Sequence, residues 1–177
     1  MIRYDEEIDR LAVIKTAEAM CAAARTAPKA KGIDYLRTAV LTDEDIVRLS
    51  DIMKKQGEET GLGFLLRDAG NVLNSQAVVL IGTSYQQRGL GEFCSLCNFR
   101  GCEESKSNGA VCIFDPMDLG IALGSAVSVA ADNRVDSRIL FSAGKAAVEM
   151  GIFPKEINCV MAVPLSASGK SIYFDRK

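Results

Sequence analysis

The sequence predicts an α+β fold in which helices flank a small central sheet and a long cysteine-rich loop interrupts the regular elements. Predicted helices outnumber strands, and helices separate the strands along the chain. Residues 83–111 show no hydrophobic period and contain four glycines and three cysteines, which is typical of a functional loop. A length of 177 residues suits one domain. We therefore expect a single domain over residues 1–177, with a cysteine-rich segment inserted over residues 83–114.

The first half of the chain carries three predicted helices and two predicted strands. Pro28 ends the first helix, because proline cannot continue one. The second helix starts at Thr42, whose hydroxyl can cap it and which is followed by an acidic first turn. The apolar run AVVLIG is typical of a strand buried on both faces. The predicted helices span residues 5–27, 42–59 and 64–73, and the predicted strands span residues 35–41 and 77–82.

The second half predicts two helices and one strand after the loop. Asp115 can cap a helix, and Pro116 suits its first position. This helix, which extends to Asp132, is rich in small residues, and Gly120 and Gly124 predict close packing against another backbone or a flat ligand. A last helix is expected over residues 136–150 and a strand over residues 158–163, after which Pro164 begins a polar tail.

Composition excludes several classes of function. The chain has 21 basic and 23 acidic residues and no basic stripe, which argues against a nucleic-acid surface. The N-terminal residues are acidic where a secretory signal would be basic and then apolar, and the longest apolar run, residues 77–82, is too short to cross a membrane. We therefore expect a cytoplasmic protein that binds neither nucleic acid nor membrane. Histidine is absent, so any catalysis would rest on a cofactor, a carboxylate or a cysteine.

Four clustered cysteines form the candidate metal site. In a cytoplasmic protein such a cluster indicates metal ligation rather than disulfides. Thiolates select zinc, iron–sulfur clusters or copper(I). Three ligands in one tight loop with a fourth from a more distant segment are a common arrangement for a cubane cluster. The four residues are Cys94, Cys97, Cys102 and Cys112. Two residues lie between the first and second cysteine, four between the second and third, and nine between the third and fourth.

Structural zinc remains the alternative on spacing alone. Zinc sites usually pair two C-x2-C knuckles, and this chain has one, so the spacing favours an iron–sulfur cluster and leaves zinc open. A thioredoxin-like role for the first pair is disfavoured, because that motif opens a helix directly after a strand. The two remaining cysteines, Cys21 and Cys159, are expected to be small buried hydrophobic residues.

Several sequence blocks resemble a prokaryotic family of ferredoxin-domain proteins over residues 22–176. This resemblance implies a [4Fe-4S] domain, similar to that of the iron–sulfur subunit of Rnf-type electron-transport complexes, with Cys94, Cys97, Cys102 and Cys112 as ligands. Ser95 and Asn98 stand where such domains usually carry glycine. The blocks are AARTAPKAKGIDYL, RDAGNVLNSQAVVLIG, CSLCNFRGCEE, VCIFDPMDLGIALGSAVSVAADNRVDSRILFSAGKAA and VPLSASGKSIYFDR.

Three shorter segments resemble the nitroreductase fold, a flavin-binding α+β dimer: AARTAP, DLGIALGSAVSVAAD and CVMAVPLSASGK. This resemblance implies FMN bound between two subunits. Arg25, Lys29 and Lys170 are then the candidate contacts for the FMN phosphate. Lys29 replaces the serine usual in that loop, and the arginine-rich phosphate-binding segment near the N-terminus of such enzymes is missing.

These patterns favour an iron–sulfur redox protein that transfers electrons through a [4Fe-4S] cluster. Its partner would be a redox protein or a small-molecule substrate. An FMN-dependent nitroreductase-like oxidoreductase and a structural zinc-binding module are the alternatives. The small residues of the helix over residues 118–132 suggest a homodimer.

Overall fold

The sheet has four antiparallel strands in the part of the chain that the structure, a computed structural model, describes, which is residues 2–174. The strands are β1 (Leu36–Leu41), β2 (Ala77–Thr83), β3 (Asp136–Ser137) and β4 (Cys159–Ser166). Six α-helices accompany them in these residues: α1 (Asp5–Thr26), α2 (Asp43–Thr60), α3 (Gly63–Leu73), α4 (Cys102–Ser107), α5 (Phe114–Asp132) and α6 (Phe141–Glu149). The predicted α+β class with a small sheet and flanking helices is confirmed.

Strand β2 lies at the centre of the sheet, whose order is β1-β2-β4-β3. Val79 pairs with Val40 on one side and Val163 on the other. All seven residues of β2 are buried, because helices cover both faces of the sheet. The prediction of a strand buried on both faces is therefore confirmed.

The two faces of β2 belong to two separate apolar cores. Successive side chains on a strand point to opposite faces, so Val79 and Ile81 pack with α1 and α5, whereas Val78 and Leu80 pack with α2, α3 and α6. The result is three layers, helix on sheet on helix. None of the helices described in residues 2–174 is long and apolar enough to cross a membrane.

Pro164 lies inside β4, so the prediction that it begins a polar tail is wrong. It pairs with Val78 of the central strand. Ala162 lies two residues earlier, so its backbone groups point to the same side of β4 as those of Pro164, and it exchanges backbone hydrogen bonds with Leu140. On this side of β4 the neighbouring segment is interrupted between Ser137 and Leu140. The N–H that proline lacks therefore removes no hydrogen bond from the sheet there.

The segment after β4 also packs rather than forming a polar tail. Tyr173 is buried, and its hydroxyl forms a hydrogen bond with that of Ser75. Its backbone oxygen accepts a hydrogen bond from Arg138. The last residues of the predicted tail, 175–177, lie outside the described residues.

Two further elements differ from the predictions. The helix expected over residues 136–150 begins only at Phe141, because Asp136 and Ser137 pair with the end of β4 as β3. The loop expected over residues 83–111 contains the short helix α4. Both depend on pairing or packing partners that lie elsewhere in the chain.

Helix α5 begins at Phe114, Asp115 does not cap it, and no other backbone of the described chain packs on its glycine pair. Asp115 makes no capping hydrogen bond and is completely buried. Gly120 and Gly124 are exposed, and a Cβ atom added at either would have no neighbour within 4 Å. Helix α1 packs instead on other residues of α5, including Leu119, Ala122 and Ala126.

Candidate metal centre

The candidate site is built on the segment between β2 and α5, residues 84–113, which we call the thiol loop. Its two ends are held by the central strand and by a helix packed on α1. Cys94 follows a 3-10 turn over Gly91–Phe93, Cys102 is the first residue of α4, and Cys112 lies just before α5. A rigid scaffold thus positions a loop that carries four cysteines.

The structure brings the four predicted cysteines to one pocket, which we call the thiol pocket. Cys94, Cys97 and Cys102 are half-buried, Cys112 is buried, and all four are free thiols. Among residues 2–174, no three cysteine or acidic side chains meet tightly enough to hold a single metal ion.

Cys21 and Cys159 lie outside the thiol pocket. Both are half-buried and pack against the core between the sheet and helices α1 and α5, so the expectation of full burial is wrong while their contact with the apolar core is present. Burial raises the pKa of the Cys21 thiol. A hydrogen bond with Cys159 raises the pKa of Tyr85.

The backbone beside the first two cysteines is left-handed. Ser95 has a φ of 42° and Asn98 a φ of 63°, and these are the positions where the resembling ferredoxin domains usually carry glycine. Asparagine tolerates this region better than most residues. The Ser95 hydroxyl donates to the backbone oxygen of Glu92 at 2.9 Å, which helps to hold its turn. The glycine preference at these positions therefore has a conformational cause.

Gly101 marks a close backbone approach in the same loop. A Cβ atom there would lie 3.3 Å from the backbone nitrogen of Glu92. The turn before Cys94 therefore packs directly on the residue that precedes Cys102 and α4.

A buried ion triad lies against the thiol pocket. Arg88, which lines the pocket, donates to Asp115 at 2.7 Å, to Asp118 at 2.8 Å and to the backbone oxygen of Gln86 at 2.8 Å. Its guanidinium also lies 4.8 Å from the centre of the Tyr35 ring. Replacing Arg88 by a neutral residue would leave two buried carboxylates without a positive partner, and replacing both aspartates would leave the buried guanidinium without a negative one.

Two members of the triad, Arg88 and Asp115, have a shifted pKa. Burial raises the pKa of Asp115, against the opposing effects of the Gln86 backbone N–H and Arg88. Burial alone would lower the pKa of Arg88, but its bonds to Asp118 and Asp115 outweigh that effect and hold the pKa above its ordinary value.

The triad ties three segments of the chain together. Both oxygens of Asp118 accept from the backbone N–H of Ala30, at 3.0 and 3.2 Å, and Asp115 accepts from that of Gln86 at 2.9 Å. The loop after α1, the thiol loop and α5 therefore meet at Arg88. Sequence reasoning missed this role. The available signal was a pair of aspartates three residues apart on an otherwise apolar helix.

Two residues that line the thiol pocket carry buried donors without a partner. The Nε atom of Arg88 and the Oγ atom of Ser105 make no hydrogen bond in the described part of the chain, where Ser171 Oγ is the remaining buried side-chain atom of this kind. Buried polar groups in proteins are nearly always paired. Two of the three exceptions in the described residues line this one pocket.

Arg25 and Lys29, predicted as phosphate contacts, are engaged within the chain. Arg25 donates to Asp34 and to the backbone oxygen of Leu36. Lys29 donates to three backbone oxygens at the end of α1, those of Ala24, Arg25 and Ala27.

Lys170 lies far from these two residues. It follows the end of β4, where Leu165 pairs with the first residue of β2, whereas Leu36 pairs with the last residue of β2. The chain therefore places the three predicted phosphate contacts at opposite ends of the sheet.

Comparison with known sequences finds one family and one full-length relative. Residues 108–176 match the model of a family described as "Uncharacterized protein containing a ferredoxin domain (DUF2148)". A protein of Archaeoglobus fulgidus, described as an uncharacterized protein, is 39% identical over 184 residues, covering 99% of this chain and 98% of the relative.

Comparison with solved structures identifies the nitroreductase fold. A BluB-like flavoprotein from Clostridium difficile is 18% identical with a TM-score of 0.63, covering 92% of this chain and 84% of that one. A putative nitroreductase in complex with FMN from Desulfovibrio desulfuricans is 12% identical with a TM-score of 0.60, covering 92% and 78%. An FMN-dependent nitroreductase from Clostridium difficile is 16% identical with a TM-score of 0.56, covering 88% and 76%. At these identities the likeness establishes the fold.

Proposed function

We propose that this chain, which belongs to the family described as uncharacterized proteins containing a ferredoxin domain, is an iron–sulfur redox protein. Cys94, Cys97, Cys102 and Cys112 would hold one [4Fe-4S] cluster. The observation that carries the proposal is that these four free thiols, drawn from 19 residues of chain, line a single pocket.

The unpaired donors of the pocket fit the same group. A [4Fe-4S] cluster binds one thiolate at each iron, and its sulfur atoms accept hydrogen bonds from the protein. Arg88 and Ser105 supply donors of this kind, and both are buried. The start of α5, immediately after Cys112, adds the positive end of a helix dipole near the ligand charge.

The residues of the chain would bind the cluster and leave one side of it close to the surface. A bound [4Fe-4S] cluster accepts or donates single electrons. Cys112 holds the buried side, while Cys94, Cys97 and Cys102 are only half-buried and Phe93 beside them is 94% exposed. This arrangement suits electron exchange with a redox partner protein or a small-molecule substrate. Because thiols stay reduced in the cytoplasm, the proposal places the chain there.

Iron analysis with a cysteine variant tests the proposal. Protein purified without oxygen should be brown and contain about four irons per chain. Cys112→Ser should lose most of this iron, because it removes the buried ligand, whereas Cys21→Ser should keep it, because Cys21 lies on α1 outside the pocket. Colourless protein with one zinc per chain would establish the structural zinc module instead, and full iron content in Cys112→Ser would show that the ligand set is wrong.

A flavin-dependent oxidoreductase is the second candidate function, and the nitroreductase fold favours it. The flavoproteins that share the fold include one solved in complex with FMN. We infer a homodimer in which the exposed face of α5, with Met117, Ile121 and Gly124, packs against the second copy. A phosphate site that uses Arg25, Lys29 and Lys170 would then need residues of both copies, since one copy places them at opposite ends of the sheet.

Flavin binding and mass in solution test this second candidate. A dimer that retains FMN and oxidises NAD(P)H would support it. A monomer that neither retains nor binds added FMN would contradict it while leaving the cluster proposal in place.

A further inference from the structure

Ser105 is the first of two residues at the thiol pocket that have a buried side-chain polar atom without a hydrogen-bond partner. It lies on α4, three residues after Cys102, and is 1% exposed. Its backbone N–H donates to Gly101, and its backbone oxygen accepts from Ala110. Its hydroxyl has no partner, although a helical serine ordinarily bonds a backbone oxygen of the preceding turn.

Arg88, which also lines the pocket, shows the same pattern. Its two terminal nitrogens donate to Gln86, Asp115 and Asp118. Its Nε atom is buried and unpaired. The ion triad thus fixes the guanidinium in one orientation and leaves the Nε–H without an acceptor.

The geometry points to a tuning role: we propose that Ser105 Oγ and Arg88 Nε donate hydrogen bonds to sulfur atoms of the cluster and raise its reduction potential. This inference rests on the proposed [4Fe-4S] function. Reduction adds one electron and makes the cluster more negative, with no bond formed or broken. Hydrogen bonds to its sulfurs therefore stabilise the reduced form more than the oxidised form.

The test is the reduction potential of two variants, each with a matched control. Ser105→Ala removes one donor with a minimal change of volume, and Ser107→Ala on the same helix is its control, since the Ser107 hydroxyl is exposed and donates to the backbone oxygen of Glu104. Arg88→Lys keeps the charge that Asp115 and Asp118 need but removes Nε, and Arg100→Lys at an exposed position of the same loop is its control.

The measurement is the anaerobic equilibrium of each protein with a redox dye of known potential, dithionite supplying one electron per cluster. The equilibrium constant for reduction should be about threefold to tenfold lower in each variant than in wild type. A tenfold change corresponds to about 59 mV for one electron. The controls should match wild type. Loss of an exchangeable-proton coupling in the magnetic resonance spectrum of the reduced cluster should accompany the change in Ser105→Ala.

The outcomes separate this inference from the function on which it rests. Fully loaded Ser105→Ala and Arg88→Lys proteins with wild-type potentials would overturn the tuning role and leave the iron–sulfur function intact. Wild-type protein that binds no iron would overturn both. If Arg88→Lys does not fold, Ser105→Ala alone decides, because the serine supports no other part of the structure through its side chain.

Discussion

The scaffold of sheet and helices differs from the thiol loop in how fully its residues are buried and its polar groups are hydrogen-bonded. In the scaffold, the seven residues of β2 are all buried, and six of them pair with strands on both sides. In the thiol loop, Phe93 is almost fully exposed, and two pocket residues have unpaired donors. The scaffold is held by its own contacts, whereas the proposed function places in the loop a group that the chain does not itself supply.

The scaffold should be broken most severely at Gly144, where α6 crosses β4. A Cβ atom at this position would lie 1.9 Å from the backbone oxygen of Val160, so Gly144→Ala forces two backbones apart. We expect a loss of roughly 3 kcal/mol in the free energy of unfolding, measured by urea titration. Gly70→Ala on α3 is the control, because a Cβ atom there meets nothing within 4 Å, and it should be neutral or stabilising by up to about 1 kcal/mol. Equal stability of the two variants would contradict this account.

The thiol loop should be broken by backbone strain rather than by overpacking. Asn98 has a φ of 63°, a region that β-branched residues strongly avoid. Asn98→Val should cost about 1–2 kcal/mol and should appear as faster hydrogen exchange in residues 94–102 and lower iron retention, while exchange in β2 stays unchanged. Asn98→Gly, which accepts the same φ without strain, should hold iron at least as well as wild type. A valine variant with normal iron retention and exchange would show that the left-handed turn is not needed.

The smallest expected effect is the pH response of Asp34, which belongs to the scaffold. Burial alone would raise the pKa of Asp34, but the hydrogen bonds from Arg25 and the Leu36 N–H outweigh it and hold the pKa below its ordinary value. A carboxyl of lowered pKa stabilises the fold above its unfolded pKa of about 3.9, and this contribution is lost as the pH falls through the folded value.

Asp34→Asn should therefore cost less than about 1 kcal/mol at neutral pH, since the Arg25 side chain is largely exposed, and the difference from wild type should shrink as the solution is acidified. Urea titrations at a series of pH values measure this difference. Repeating the substitution in an Arg25→Gln background should reduce its effect. A difference in stability between Asp34→Asn and wild type that grows as the pH falls would contradict a lowered pKa for Asp34.

Local pattern predicted the first half of the fold well. The helices before residue 74 and strands β1 and β2 follow from hydrophobic period, an acidic first turn after Thr42 and helix breakers. Pattern failed where a distant partner decides the structure. Asp136 and Ser137 become β3 only because Ser166 and Leu165 lie beside them, and Pro164 stays in β4 only because its neighbour is interrupted at that point.

The candidate site divides in the same way. The identity and spacing of Cys94, Cys97, Cys102 and Cys112 were sufficient to nominate them as one site, because thiolate chemistry is a property of residue type. The resemblance to ferredoxin domains identified the cluster that they would hold. Neither source indicated that Arg88 is fixed by two aspartates of α5, 27 and 30 residues away in sequence.

The sequence by itself thus determined the α+β class, the place of the cysteine segment between a buried strand and a helix, and the four candidate thiols, since each depends on composition or short-range spacing. Only the tertiary structure decided that the four thiols line one pocket and that Arg88 and Ser105 bring unpaired donors to it. The physical reason is burial. Whether a polar atom has a partner depends on which segments pack around it and exclude water, and no local pattern contains that information.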